Sequence, residues 1–295
     1  MNLTTEQDNP ESKNIDQMAT LDALRLINRE DAKVAAAVRE ALPQVAEAVD
    51  IIAEAVANGG RLFYVGAGAS GRLGLLDAVE CVPTFSVSPD LVQGLIAGGS
   101  DALTQSIEGA EDRPDDARDD LKARGLTRAD VVCGIAASGR TPYVIGGLTY
   151  AKTLGAKTIA IACNARSSIG EIADISICVV VGPEILAGST RMKAGAAQKM
   201  ILNMLSTGAM IRLGKVYGNL MVDVKVSNQK LAERACRLVM RLTGVKSEQA
   251  RALLAGANQD VKAAVVMARL GVEYEKAREL LAQAKGTLRE VIGGE

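Results

Sequence analysis

Short, nearly continuous apolar runs alternate through the first two thirds of the chain with longer segments whose apolar residues recur every three or four positions. The runs 62–65, 91–97, 131–136, 157–163 and 175–181 have the length and composition of buried strands, with a shorter strand expected at 84–87. Helical patterns fall between them. The first covers 21–57, with Asp31 as a cap and a break at Pro43, and ends at Asn58-Gly59-Gly60. Others are expected at 71–80, at 100–110 behind a Ser100 N-cap, from Thr141-Pro142 to Gly155, and at 190–213. The acidic stretch 112–120 reads as a solvated connection. Apolar strands alternating with helices predict an α/β fold, a parallel sheet covered on both faces. After about Asn228 the strand signals stop, and patterns at 229–243, 247–254, 260–270 and 274–284 predict a small helical domain. The expected division is a loose polar arm (1–17), an α/β domain (18–227) and the helical domain (228–295).

Two of the strand-to-helix junctions carry glycine- and serine-rich loops. Gly66-Ala67-Gly68-Ala69-Ser70-Gly71-Arg72 follows the first strand, and Ala137-Ser138-Gly139-Arg140-Thr141-Pro142 follows the run 131–136. Such loops gather backbone N–H groups and a hydroxyl at the positive end of a helix, which suits a phosphate. Gly66-x-Gly68-x-x-Gly71 also matches the dinucleotide fingerprint, but the acidic ribose partner is missing: 84–88 offers no carboxylate before Asp90. Glycines needed only for tight turns, and serines serving only as caps, would explain each loop singly. The recurrence of Ser-Gly-Arg in both favours a phosphorylated ligand. A third cluster, Gly188-Ser189-Thr190-Arg191-Met192-Lys193, opens the long helix with two hydroxyls and two cations, and reads either as an anion site or as a capped helix with exposed charges.

Composition narrows the chemistry. The chain of 295 residues has no histidine, which removes Ser-His-Asp and Cys-His nucleophiles and histidine-ligated zinc. Lys and Arg total 34 against 35 Asp and Glu, so nothing in the charge balance points to nucleic acid or an anionic membrane. No run reaches the ~18 apolar residues of a membrane span, and Met1–Lys13 lacks the apolar core of a secretory signal; a cytoplasmic protein is expected. The five scattered cysteines form no paired motif, and Cys133, Cys163 and Cys178 sit in strand runs as small buried hydrophobes. Proton transfer then falls to other groups, carboxylates foremost. Glu80 stands in an apolar neighbourhood, 77–84, where burial would raise its pKa; Glu108 and Glu111 lie one turn apart on the helix expected after Ser100. Spacing alone leaves Glu80 and Glu111 as candidates beside ordinary surface glutamates.

The blocks 59–74, 77–85, 108–112, 134–144, 188–195 and 218–224 together resemble the N-acetylmuramic acid 6-phosphate etherases, and the likeness runs from about Ile15 to the C-terminus. The resemblance implies a flavodoxin-like sugar isomerase (SIS) domain followed by a small UBA-like helical domain, working as a homodimer without metal or nucleotide cofactor. The implied reaction cleaves the D-lactyl ether of N-acetylmuramic acid 6-phosphate, giving D-lactate and N-acetylglucosamine 6-phosphate in cell-wall sugar recycling. Glu80 then matches the acid that protonates the departing lactyl oxygen, and Glu111 the base at C2. Gly68, Ser70, Gly71, Ser138, Gly139, Thr141 and the group Ser189, Thr190, Arg191 and Lys193 would hold the phosphate and sugar hydroxyls. The chain departs from the family at Ala69 (usually Thr or Ser), Val82 (usually Pro) and Ala196 (usually Thr). Losing a neutral hydroxyl bond at Ala69 would cost about 1 kcal/mol. Two other readings share the phosphate loops: a non-catalytic sugar-phosphate sensor resembling glucokinase regulatory protein, and a sugar-phosphate isomerase. Retention of both glutamates favours the enzyme over the sensor, and the long blocks outside the loops disfavour the isomerase.

Overall fold

Three helices precede the sheet: α1 (Thr20–Asp31), α2 (Val34–Glu40) and α3 (Leu42–Ala57). Asp31 ends α1 instead of capping α2, whose N-cap is Lys33 without a side-chain bond. The chain then alternates through β1 (Leu62–Gly66), α4 (Gly68–Phe85), β2 (Val92–Ile96), α5 (Pro114–Ala123), β3 (Val131–Ile135), α6 (Pro142–Thr153), β4 (Lys157–Ala162), α7 (Ser168–Ile172), β5 (Ile175–Cys178) and α8 (Lys193–Arg212). A hairpin, β6 (Val216–Tyr217) and β7 (Leu220–Met221), follows, then α9 (Gln229–Thr243), α10 (Ser247–Gly256), α11 (Val261–Leu270), α12 (Tyr274–Gln283) and α13 (Leu288–Ile292). This computed structural model describes residues 3–224, 226 and 228–294. Two units emerge from its contacts: Met1–Val79 with Pro89–Gly208, and Glu80–Ser88 with Ala209–Glu295.

The first unit is built on a five-stranded sheet in the order β2-β1-β3-β4-β5, parallel throughout. On one face Phe63, Val65, Leu95, Val132 and Ala160 bury against Leu121 of α5 and Val144 and Leu148 of α6. On the other, the Tyr64 hydroxyl donates to Asp77 of α4 at 2.9 Å, and Ser206 of α8 donates to the same carboxylate at 3.2 Å. Burial raises the Asp77 pKa, against the pull of Tyr64, Ser206 and Lys199. The chain reverses direction across the sheet between β1 and β3, and ligands of open α/β sheets bind at the strand C-termini beside such a switch point.

Four local expectations give way. Residues 84–87 form no strand: α4 continues to Phe85 past Pro83, which offers no N–H to the carbonyl four residues before it, and the Thr84 hydroxyl donates to the Glu80 carbonyl at 2.7 Å. The helix expected behind Ser100 is a 3₁₀ turn (Gly99–Leu103), then irregular chain, then a second 3₁₀ turn (Ala110–Asp112) that follows left-handed Gly109. Glu108 and Glu111 are therefore not stacked on a helix. The acidic stretch is in large part α5, started by Pro114, with Ala117 and Leu121 buried beneath its charges. The arm is not loose: Leu3, Thr5, Asn9 and Ser12 are buried, Thr5 exchanges hydrogen bonds with Asn164, and the Ser12 hydroxyl donates to the Ile185 carbonyl at 2.7 Å.

In the second unit α9–α13 share an apolar core with residues of the hairpin segment, including Val222, Val239, Val265 and Leu288. Asn228 and Asp260 cap α9 and α11 with their side chains, and left-handed Gly244 and Gly271 close the same two helices. Buried Lys262 is held by Asp223 at 2.8 Å and the Gly286 carbonyl at 2.7 Å.

Candidate active site

Gly66 and Ile135 are register partners at the ends of β1 and β3, so both glycine loops leave adjacent strands at the same level. The first loop turns through Gly68 (φ 52°) straight into α4. Ser70 is buried in the first turn of α4, its hydroxyl donating to Gln198 Oε1 of α8 at 3.0 Å. A Cβ at Gly71 would lie 2.6 Å from Ile96 Cγ1, so only glycine lets the helix start this close to β2.

The second loop turns at left-handed Gly139, where a Cβ would lie 2.2 Å from Ser167 Cβ. Asn164 of the β4–α7 connection donates to the Ala137 and Ser138 carbonyls and fixes the loop from below. The half-buried Ser138 hydroxyl accepts from the Arg140 N–H at 3.3 Å. Thr141 is the N-cap of α6, yet its hydroxyl makes no capping bond, and Pro142 follows at the first helical position.

A third segment completes the wall beside the first loop. Gly68 and Arg72 line a cavity of about 190 Å³ together with residues of the 97–111 segment, among them Glu108 and Glu111. Arg72 does not present its charge as a free cation. Its guanidinium donates to the carbonyls of Ala102 (3.0 Å), Leu103 (3.3 Å) and Gln105 (2.9 Å), holding the glutamate-bearing segment against α4. Nothing in the local sequence separated Arg72 from a phosphate ligand; its partners lie some thirty residues away.

Glu80 lies in the later half of α4 and is exposed, so the chain does not itself supply the burial expected there. Glu111 belongs to the first unit and Glu80 to the second.

The 188–193 cluster differs most from expectation. Lys193 is 1% exposed, and its ammonium donates to Glu30 of α1 at 2.7 Å. Lys33 and Asn9 also donate to the Glu30 carboxylate. Although burial pushes Glu30 upward, the bonds and charges of Lys193 and Lys33 hold its pKa down at about 2. The first N–H groups of α8, at Lys193 and Ala194, donate to buried Glu184 at 3.0 and 2.9 Å. The chain thus fills this helix N-terminus with its own carboxylate, and any anion would compete with Glu184 and Glu30. Ser189 and Thr190 remain half-buried, and Arg191 is exposed.

None of the five cysteines is in a disulfide; burial raises Cys133 and pushes Cys163 up to about 12. Among the described residues no group of three or more acidic, cysteine or histidine side chains could hold a metal ion, and no helix is long and apolar enough to cross a membrane.

Residues 44–152 match the glucokinase regulatory protein N-terminal SIS domain, 115–208 the SIS domain, and 218–262 the C-terminal lid domain of glucokinase regulatory protein. Across nearly the whole chain the similarity is to enzymes. An N-acetylmuramic acid 6-phosphate etherase of Clostridium botulinum is 57% identical over 98% of this chain and 96% of its own. That of Cronobacter sakazakii is 58% identical over 90% and 89%, and that of Lactobacillus gasseri 54% over 99% and 98%. Among solved structures, a phosphoheptose isomerase from Francisella tularensis superposes with a TM-score of 0.53, 19% identity, and 65% of this chain and 98% of that one covered. A putative phosphosugar isomerase of Bacteroides fragilis gives 0.51, 18% identity, and 73% and 97%. These likenesses show the SIS fold.

Proposed function

Because this chain belongs to the N-acetylmuramic acid 6-phosphate etherase family, we propose that it is a carbon–oxygen lyase that splits the D-lactyl ether of N-acetylmuramic acid 6-phosphate, acting in the cytoplasm as a homodimer that recycles cell-wall sugar. Identity above one half along almost the full length carries this reading. The likeness to glucokinase regulatory protein is one of separate domains, whereas the etherase relatives match almost the whole chain at more than half identity.

In the open-chain sugar the C2 proton is acidified by the neighbouring aldehyde. Glu111, which lines the same cavity as Gly68, takes that proton as a carboxylate. The electron pair forms the C2–C3 double bond as the C3–oxygen bond breaks, and Glu80, protonated, gives its proton to the leaving lactyl oxygen. Water then adds at C3 and a proton returns to C2, so the products are D-lactate and N-acetylglucosamine 6-phosphate. Two carboxyl groups in opposite protonation states do this without histidine. Glu80 needs a drier setting than one chain offers it, which a second copy or the bound substrate would provide.

The phosphate is assigned to the paired glycine loops, with Gly68, Ser70 and Gly71 from one and Ser138, Gly139 and Thr141 from the other. The uncapped head of α6 and the level exit of the two strands support this assignment. Ser189, Thr190 and Arg191 would meet the sugar hydroxyls, whereas Lys193 serves by holding that segment to Glu30. Incubating the purified protein with N-acetylmuramic acid 6-phosphate should release D-lactate and N-acetylglucosamine 6-phosphate in equal amounts. Absence of D-lactate from folded protein would overturn the proposal.

A further inference from the structure

Gln198 sits on α8 at 1% exposure, and its amide nitrogen is buried with no hydrogen-bond partner among the described residues. Its other terminal atom, Oε1, accepts the only proton that Ser70 can donate. The two facts conflict with Ser70 as a phosphate ligand, because a phosphate offers acceptors and Ser70 in this arrangement offers it only lone pairs. One rotation removes the conflict at Ser70 and eases the other. Turning the side-chain amide by half a turn places Nε2 where Oε1 stands, 3.0 Å from Ser70 Oγ. The nitrogen then donates to the hydroxyl, and the hydroxyl proton is released toward the loop. The carbonyl left in the buried position is the less demanding of the two groups to leave unpaired.

We propose that Gln198 is a positioning residue for phosphate binding: by donating to Ser70 Oγ it aims the Ser70 proton at a phosphoryl oxygen. This rests on the assignment of the phosphate to the glycine loops. Gln198 touches no substrate, and acts through the polarity of one hydrogen bond. Glutamine can reverse that polarity, whereas glutamate, acceptor-only when ionised, holds the serine proton permanently.

The test is a double-mutant cycle on the full chain, reading KM for N-acetylmuramic acid 6-phosphate, kcat, and inhibition by inorganic phosphate. Ser70→Ala should weaken phosphate inhibition about ten-fold, the size of one hydrogen bond to a charged group. Gln198→Glu should raise KM by a similar factor, with a smaller fall in kcat, and this effect should shrink to about two-fold in the Ser70→Ala background. Should Gln198→Glu fail to fold, Gln198→Met enters the same cycle, with an expected rise of about three-fold that also vanishes without the serine. Equal effects of the Gln198 substitution with and without Ser70 would overturn the positioning role alone. Unchanged phosphate inhibition in Ser70→Ala would overturn it together with the phosphate assignment beneath it.

Discussion

At the head of α6, Thr141 makes no capping bond, Pro142 contributes no N–H, and the loop before it is held open by Gly139 and Asn164. At the head of α8, Glu184 accepts the first two N–H groups, and Lys193 is drawn inward onto Glu30. Hydroxyls, glycine and basic side chains mark both helix starts in the sequence, and both look like anion sites. They differ in who supplies the anion. The first is the one to which we assign the phosphate; the second is filled by carboxylates recruited from residues 9 and 163 positions away. A polar helix start therefore reports an electrostatic demand, and only the tertiary structure says whether the chain meets it internally.

The contrast breaks most directly at the chemistry beside the open loops. Glu111→Gln should lower D-lactate release about 10²- to 10⁴-fold with the far-ultraviolet dichroism unchanged. Turnover near that of the parent chain would move the base elsewhere. The closed end should answer in stability instead. Glu30→Gln leaves the Lys193 ammonium buried without its counter-charge, and denaturant unfolding should show a loss of about 3–5 kcal/mol. Its pH dependence has a definite sign. The folded pKa of about 2 lies below the ordinary 4.5, so the stabilisation is complete above pH 4.5 and is lost as pH falls toward 2. Melting temperatures of the parent chain should drop through that window more steeply than those of Glu30→Gln; parallel curves would refute the ion pair.

Smaller effects sharpen the division. Arg72→Met frees the 102–105 carbonyls and lets the glutamate-bearing segment drift, so kcat should fall about ten-fold with a lesser change in KM. An effect confined to KM would instead make Arg72 a direct substrate ligand. Thr141→Val should raise KM a few-fold, about 1 kcal/mol, and leave the melting temperature in place. A shift in melting with unaltered KM would put Thr141 among the structural caps.

Much of the fold was readable because its determinants are local. The strands 62–66, 131–135, 157–162 and 175–178 are apolar runs bounded by turns, and α9 falls on the predicted 229–243 because Asn228 and Gly244 mark its ends. The 99–112 segment misled because Leu103, Ile107 and Ala110 have helical spacing although the chain there forms only two 3₁₀ turns joined by irregular backbone. Acidic α5 was hidden by its charges, since Ala117 and Leu121 are too few to give a pattern. In the candidate site, the loops stood out by composition, and Glu111 was singled out by the family resemblance. Arg72, Glu184, Glu30 and Gln198 did not, because each is defined by a partner far off in the chain. The arm belongs with them: polar outside, it is held by a few buried contacts that composition averages away.

Asn164 ties the arm to the second loop. It donates through one amide nitrogen to the Thr5 hydroxyl and to the Ala137 and Ser138 carbonyls, and its oxygen accepts from the Thr5 N–H at 3.4 Å. Trimming the first eight residues, or fusing a bulky affinity tag next to Thr5, would therefore loosen the second glycine loop from a segment more than 130 residues away. Purification handles belong at the other terminus.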